Sequence, residues 1–182
     1  MIQSKNDYLY YLKEDKRALG IKGGFREFLF NDIWRFQRTL RRLEYLTNCK
    51  KNVFLRKIVA FYFRYLSKKL GFTIPINVFG SGLSIAHYGT IVVNGNSKIG
   101  KNCRIHVCVN IGSLAGEAYA SPKIGDNCYI GPGAKLFGDI YIGDNTAIGA
   151  NAVVNKSFPD GNVTIGGIPA KIISTKNTKG LL

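Results

Sequence analysis

The 182-residue chain holds two histidines, His87 and His106. Histidine takes up and releases protons near neutral pH, so either ring could act as general base on a hydroxyl attacking a thioester. A capping or core role is the alternative for each, and spacing alone leaves both open. Two histidines are too few for a three-histidine zinc site. Cys49, Cys103, Cys108 and Cys128 lack metal-finger spacing. There is no Ser-His-Asp order, phosphate-binding loop or dinucleotide fingerprint, and Gly80-Ser81-Gly82 is too short to count. No metal is expected, and no nucleic-acid motif accompanies the basic charge.

The elements that would position these residues repeat every six. Ile99, Ile105 and Ile111 share one lattice; Ile124, Ile130, Leu136, Ile142, Ile148 and Val154 share a second. Glycine follows most of them, and a small or β-branched residue stands four positions later, as at Cys103, Cys128, Ala134 and Ala152. Six is the period of a left-handed parallel β-helix, in which three hexads of roughly eighteen residues close one triangular coil. The apolar residue points inward, and Gly, Asn or Asp accepts the positive φ that a corner needs. Cys103 and Cys128 occupy the small inward position, where packing explains them. The lattice slips between Ile111 and Ile124, and Ser113 to Lys123 reads as an extruded loop, where function tends to sit.

The chain divides into a basic, aromatic helical region (1–71), the β-helix (72–174) and a loose tail (175–182). Residues 1–70 carry 17 of the 26 Lys and Arg, 6 of the 11 acids and 14 of the 22 aromatics. Helices are expected over roughly 7–17, 25–48 and 53–69, with Gly71 as a C-cap. Arg35, Arg38, Arg41 and Arg42 fall on other faces of the second; a basic, aromatic segment suggests an acidic surface as partner, anionic lipid, nucleic acid or a phosphorylated ligand, with a plain solvated face as the alternative. The third could pack inward or lie on an anionic membrane surface. Its longest apolar run is too short to span a bilayer. With no signal peptide evident and no disulfide pattern, a cytoplasmic protein is expected, with residues 25–70 making peripheral contact at the inner face of the membrane.

From Gly71 to Ser174 the chain resembles the serine acetyltransferase branch of the left-handed β-helix acyltransferases, and more closely the capsular and exopolysaccharide O-acetyltransferases. The resemblance is carried by His87-Tyr88-Gly89-Thr90-Ile91-Val92-Val93-Asn94, Pro122-Lys123-Ile124-Gly125-Asp126-Asn127, Ile130-Gly131-Pro132-Gly133-Ala134-Lys135, Ile148-Gly149-Ala150-Asn151-Ala152-Val153-Val154 and Gly167-Ile168-Pro169-Ala170-Lys171. It implies a homotrimer with active sites between neighbouring prisms, acetyl-CoA as acetyl donor, and His87 as general base. Gly131 and Ala150 match positions that meet the pantetheine arm; Asn155, Lys156 and Lys171 match positions near the adenosine phosphates.

The chain departs from that pattern in places. Phe72-Thr73-Ile74-Pro75 stands where serine acetyltransferases carry an acid that orients the histidine, and Ala86 replaces another. A backbone carbonyl could hold the ring instead, or Glu117 from a neighbouring subunit. Ser121 replaces a histidine that contacts the serine carboxylate. With Ser121, Glu117 and His106 as acceptor-side candidates, the expected reaction is O-acetylation of a sugar hydroxyl on a polysaccharide or its precursor. The alternatives are serine O-acetylation in cysteine biosynthesis and a non-catalytic hexapeptide protein that docks on partners.

Overall fold

A computed structural model of the chain describes residues 1–117 and 119–182. Four helices precede the repeats: α1 (Lys5–Ala18), α2 (Phe25–Phe30), α3 (Asp32–Asn48) and α4 (Val53–Leu70). Ser4, Asn31 and Asn52 each cap the following helix, their side-chain oxygens accepting backbone N–H bonds, which satisfies donors that a helix start leaves unpaired. Asn31 therefore splits the single helix expected over 25–48 into α2 and α3. Gly71 closes α4 in the left-handed conformation, φ +78°, as expected of a C-cap glycine.

The repeats form a left-handed, three-sided parallel β-helix. The first face stacks Phe72–Thr73, Ile91–Val93, Asn110–Gly112, Lys135–Phe137 and Val153–Val154. The second stacks Lys98–Ile99, Lys123–Ile124 and Tyr141–Ile142; the third runs from Ser84–Ile85 through Arg104–Ile105, Tyr129–Ile130 and Ala147–Ile148 to Thr164–Gly166. Lys171–Ser174 closes the third face as an antiparallel strand. Ile105, Ile111, Ile130, Leu136, Ile142, Ile148 and Val154 are at most 1% exposed, and Cys103, Cys128, Ala134 and Ala152 fill the corners beside them. Burial pushes the Cys128 thiol up to about 11 and the Cys103 thiol well above its usual range.

The corners divide two jobs that the sequence had pooled. Along one corner positive φ belongs to asparagine: Asn102, Asn127, Asn145 and Asn162 lie between +53° and +56°. Their side chains form a ladder along the prism, each amide donating to the next carbonyl oxygen at 2.9–3.1 Å. The glycines after Ile99, Ile124, Ile130 and Ile142 serve close approach instead. A Cβ on Gly100 would stand 2.6 Å from the Gly125 carbonyl carbon, and one on Gly125 would stand 2.8 Å from the Asp144 nitrogen.

Vertical register shows what the lattice slip is. Ile111 pairs with Leu136 and Ile99 with Ile124, so this coil takes 25 residues where its successor takes 18. The step from Ile111 to Ile124 is thus one hexad plus a seven-residue insertion, not two hexads and a slip. The insertion turns at Gly116 (φ +85°), with Leu114 N–H donating to the Ala120 carbonyl. It includes Ala118, which lies outside the described residues.

The helices close the top of the prism. Arg41 on α3 is fully buried, not on a solvated face, because it donates to Asp15 of α1 at 2.8 Å, to Glu44 at 3.0 Å and to the carbonyls of Phe79 and Gly80 at 3.0 and 2.6 Å. Asp15 also accepts the N–H bonds of Gly82 and Leu83, and Glu44 that of Asn77. Gln37 donates to the Leu83 carbonyl. Gln37, Arg41, Glu44 and Asn48 recur at spacings of four, three and four, one stripe of α3. That stripe satisfies backbone groups of the first coil that have no coil above them. Burial pulls the Arg41 guanidinium down, but the charges of Asp15 and Glu44 outweigh it and hold it above its ordinary range.

At the other end, Thr164 Oγ1 donates to the Lys176 carbonyl, Thr178 is buried, and Leu182 shares a small cavity with Arg17, Asn102 and Asn127. Residues 175–182 thus run back against the prism. Among the described residues no helix is long and apolar enough to cross a membrane.

Removing one member of a buried ion network leaves the others uncompensated, at a cost of roughly 3–5 kcal/mol. Arg41→Met should therefore lower unfolding stability by about that much in urea titration. Exposed Arg42→Met should change it by less than about 0.5 kcal/mol. Equal effects of the two substitutions would show that the buried network does not anchor the helices.

Candidate active site

His87 lies where the third face turns into the first. Six-residue spacing fails there: Ile85 and Val93, the two inward positions that bracket it, are eight residues apart. The added residues bulge outward around Gly89, whose φ is +134° and whose N–H donates to the Leu70 carbonyl. A Cβ on Gly89 would stand 2.6 Å from Val107 Cγ2. The bulge leaves the His87 side chain exposed on the corner, with Tyr88 beside it 71% exposed.

One coil further along, the same corner carries His106. The two rings lie 6.3 Å apart between centroids, and the ring of Tyr129, from the following coil, is 5.0 Å from His106. The 19-residue spacing of the histidines had allowed this neighbourhood; Tyr129 carried no signal in the sequence. Burial, with lesser help from Arg104 and His87, lowers the His106 pKa. Its Nε2 is buried and has no hydrogen-bond partner among the described residues.

The same corner then continues through Gly131 and exposed Ala150. Gly131 N–H donates to the Ile148 carbonyl, and its own carbonyl accepts from Ala134 N–H. A Cβ there would stand 2.7 Å from the Ile148 oxygen, so coil stacking alone requires glycine. Lys171 is exposed beside Gly166, near the far end of this corner. Asn155 and Lys156 are exposed too, but after Val154, at the corner between the first and second faces; Lys156 Nζ sits 5.5 Å from the Phe158 ring centre.

Of the acceptor-side candidates, His106 lies beside His87 within one chain, whereas Glu117 and Ser121 belong to another corner. Glu117 is exposed on the insertion, which leaves from the corner between the first and second faces. Ser121 is 2% exposed, with its Oγ unpartnered among the described residues. The loss of a cationic residue at that position therefore says little about the acceptor, because its side chain turns inward. Phe72 and Ile74, in the stretch where an acid was sought, are core residues, Phe72 packing edge-on against Phe36 of α3 at 4.9 Å. Among the described residues no three His, Cys, Asp or Glu side chains come together to hold a metal.

Comparison with known proteins follows this geometry. The family model for the bacterial transferase hexapeptide (six repeats) matches residues 121–156. A serine acetyltransferase of Helicobacter pylori is 34% identical over 114 residues, covering 58% of this chain and 67% of that protein. One from Mycobacterium tuberculosis is 35% identical over 102 residues, covering 54% of this chain but 43% of the relative's length. The crystal structure of serine acetyltransferase from Brucella abortus in complex with coenzyme A superposes with a TM-score of 0.75 at 28% identity, over 95% of this chain and 70% of that one. These matches correct the expectation of a polysaccharide acceptor: each of these three relatives is a serine acetyltransferase, and the superposition takes in the helices as well as the repeats. Identity at this level over two thirds of a relative, together with a shared architecture from helices to last coil, shows that the chain belongs to the serine acetyltransferase group of hexapeptide-repeat transferases.

Proposed function

We propose that the protein is a serine O-acetyltransferase, which moves the acetyl group of acetyl-CoA to the serine hydroxyl. The observation that carries this reading is an exposed His87 on a chain that superposes nearly end to end on a serine acetyltransferase crystallised with coenzyme A. His87 takes the hydroxyl proton as the oxygen attacks the thioester carbonyl. The tetrahedral oxyanion is held by backbone N–H groups. It collapses with cleavage of the C–S bond, and the proton on His87 passes to the departing thiolate. Gly131 and Ala150 line the path of the pantetheine arm below His106. Lys171 meets the phosphates, where a lysine acts as a compact point charge, and Asn155 and Lys156, at another corner, would reach them from a neighbouring prism.

The working unit we propose is a trimer. His87 and the insertion with Glu117 leave one prism from different corners. A neighbouring prism packed against the first face would bring the insertion of one subunit to the histidine of the next. The four free cysteines and an acetyl-CoA substrate fit the cytoplasm.

Release of CoA thiol from acetyl-CoA in the presence of serine tests the reaction. His87→Ala should lower kcat by about 10²–10⁴-fold, the usual worth of general-base catalysis. Serine-independent thiol release, or full activity in His87→Ala, would overturn the assignment.

Lys171→Gln should raise KM for acetyl-CoA several-fold, roughly in line with the loss of one charged hydrogen bond of about 1.5 kcal/mol, while KM for serine stays put. An unchanged KM for acetyl-CoA would remove Lys171 from the phosphate site.

A further inference from the structure

The helical region presents a surface that acetyl transfer does not use. On α4, Phe54, Ile58, Phe61 and Tyr65 recur at spacings of four, three and four, so they form one stripe. It lies opposite Val59, Leu66 and Leu70, which pack inward. Phe54 and Phe61 are 73% and 77% exposed, and Ile58 and Tyr65 more than half. Lys57, Arg64 and Lys68, spaced seven and four apart and all exposed, run alongside the stripe. From Val53 to Leu70 there is no acidic residue. The apolar surface continues past α4: a cleft of about 740 Å³ has Ile58 and Tyr62 on one side and Phe28, Leu29 and Phe30 of α2 on the other.

We propose that this face is a docking surface for an anionic lipid bilayer, with the α4 stripe and the α2 phenylalanines entering the headgroup boundary and the flanking Lys and Arg meeting lipid phosphates. An exposed apolar stripe bordered by basic residues is the pattern of helices that lie in the plane of a membrane interface. Charge selects this occupant over a second copy of the chain. Two such faces in contact would set Lys57, Arg64 and Lys68 against their copies, with no carboxylate from either α4, inside an apolar interface. A bilayer offers what both features need, a hydrocarbon boundary under a negative surface. The placement fits the fold, since α4 covers the prism with its opposite side.

The full-length protein is tested by co-sedimentation with vesicles of phosphatidylcholine alone and of phosphatidylcholine mixed with phosphatidylglycerol, with salt varied. It should sediment with the anionic vesicles, release as salt rises, and stay in solution with the neutral ones. Lys57→Gln, Arg64→Gln and Lys68→Gln together should weaken binding by about a hundredfold. Phe54→Ser with Phe61→Ser should abolish it while the urea midpoint stays unchanged, as exposed positions allow. Absence of anionic-vesicle binding at low salt, or binding indifferent to both sets of substitutions, would overturn the proposal. So would a wild-type mass in solution that falls in the double serine variant, since a second copy would then cover the stripe. Sedimentation reads this surface directly and does not depend on the acetyl-transfer reading.

Discussion

A stack of β-coils has an open end, and the backbone groups on that end have no coil to pair with. Here the buried guanidinium of Arg41 is the centre of the answer. It joins Asp15 of α1 and Glu44 of α3 to the carbonyls of Phe79 and Gly80, while the two carboxylates take the N–H groups of Asn77, Gly82 and Leu83. Terminal repeats of solenoids need a cap. This one is built from charge because carboxylate and guanidinium together offer acceptors and donors to the same backbone edge. Desolvating three ionised groups is costly, and the geometry compensates by leaving few of their hydrogen-bonding positions empty.

Below the cap, stability and site geometry share a cause. Coils approach so closely that a Cβ at Gly100, Gly125 or Gly131 would run into the next coil's backbone. The asparagine ladder and the carboxylates of Asp126 and Asp144, which accept the N–H bonds of Lys101 and Asp126, tie successive corners together. Side chains one coil apart are therefore held at fixed offsets. That is why His87, His106 and Tyr129 form a line although they are scattered over 43 positions of the chain. A rigid corner is a sound mount for a base, since general-base catalysis depends on the base staying within hydrogen-bond reach of its proton.

Regularity also explains where the exceptions lie. The bulge at His87 and the insertion after Gly112 interrupt the hexads on opposite sides of the first face, and each turns outward because the interior has no volume to spare. The base and the loop that would meet an acceptor are consequently parted within one chain. Ser121, at the return of the loop, is buried within the single chain.

The period of six determined, without any coordinates, that the chain forms a three-sided β-helix, which residues point inward, and where the pattern breaks. It could do so because a solenoid makes its contacts at a constant sequence offset. Helix boundaries were legible to within a few residues from apolar spacing and caps, apart from the break at Asn31. Arg41 read as a surface charge, solvated or facing an acidic partner, because residue type reports the usual environment of a side chain and not the one it finds. Whether a charge on a helix meets water or the bare edge of a sheet depends on how α3 lands on the first coil, and that is a tertiary contact between residues 38 or 39 positions apart. The neighbourhood of His106 with His87 lay one residue off a full coil and was within reach of arithmetic. The contact with Tyr129 and the separation of the insertion from His87 were decided only when the seven added residues were placed at one corner of their coil.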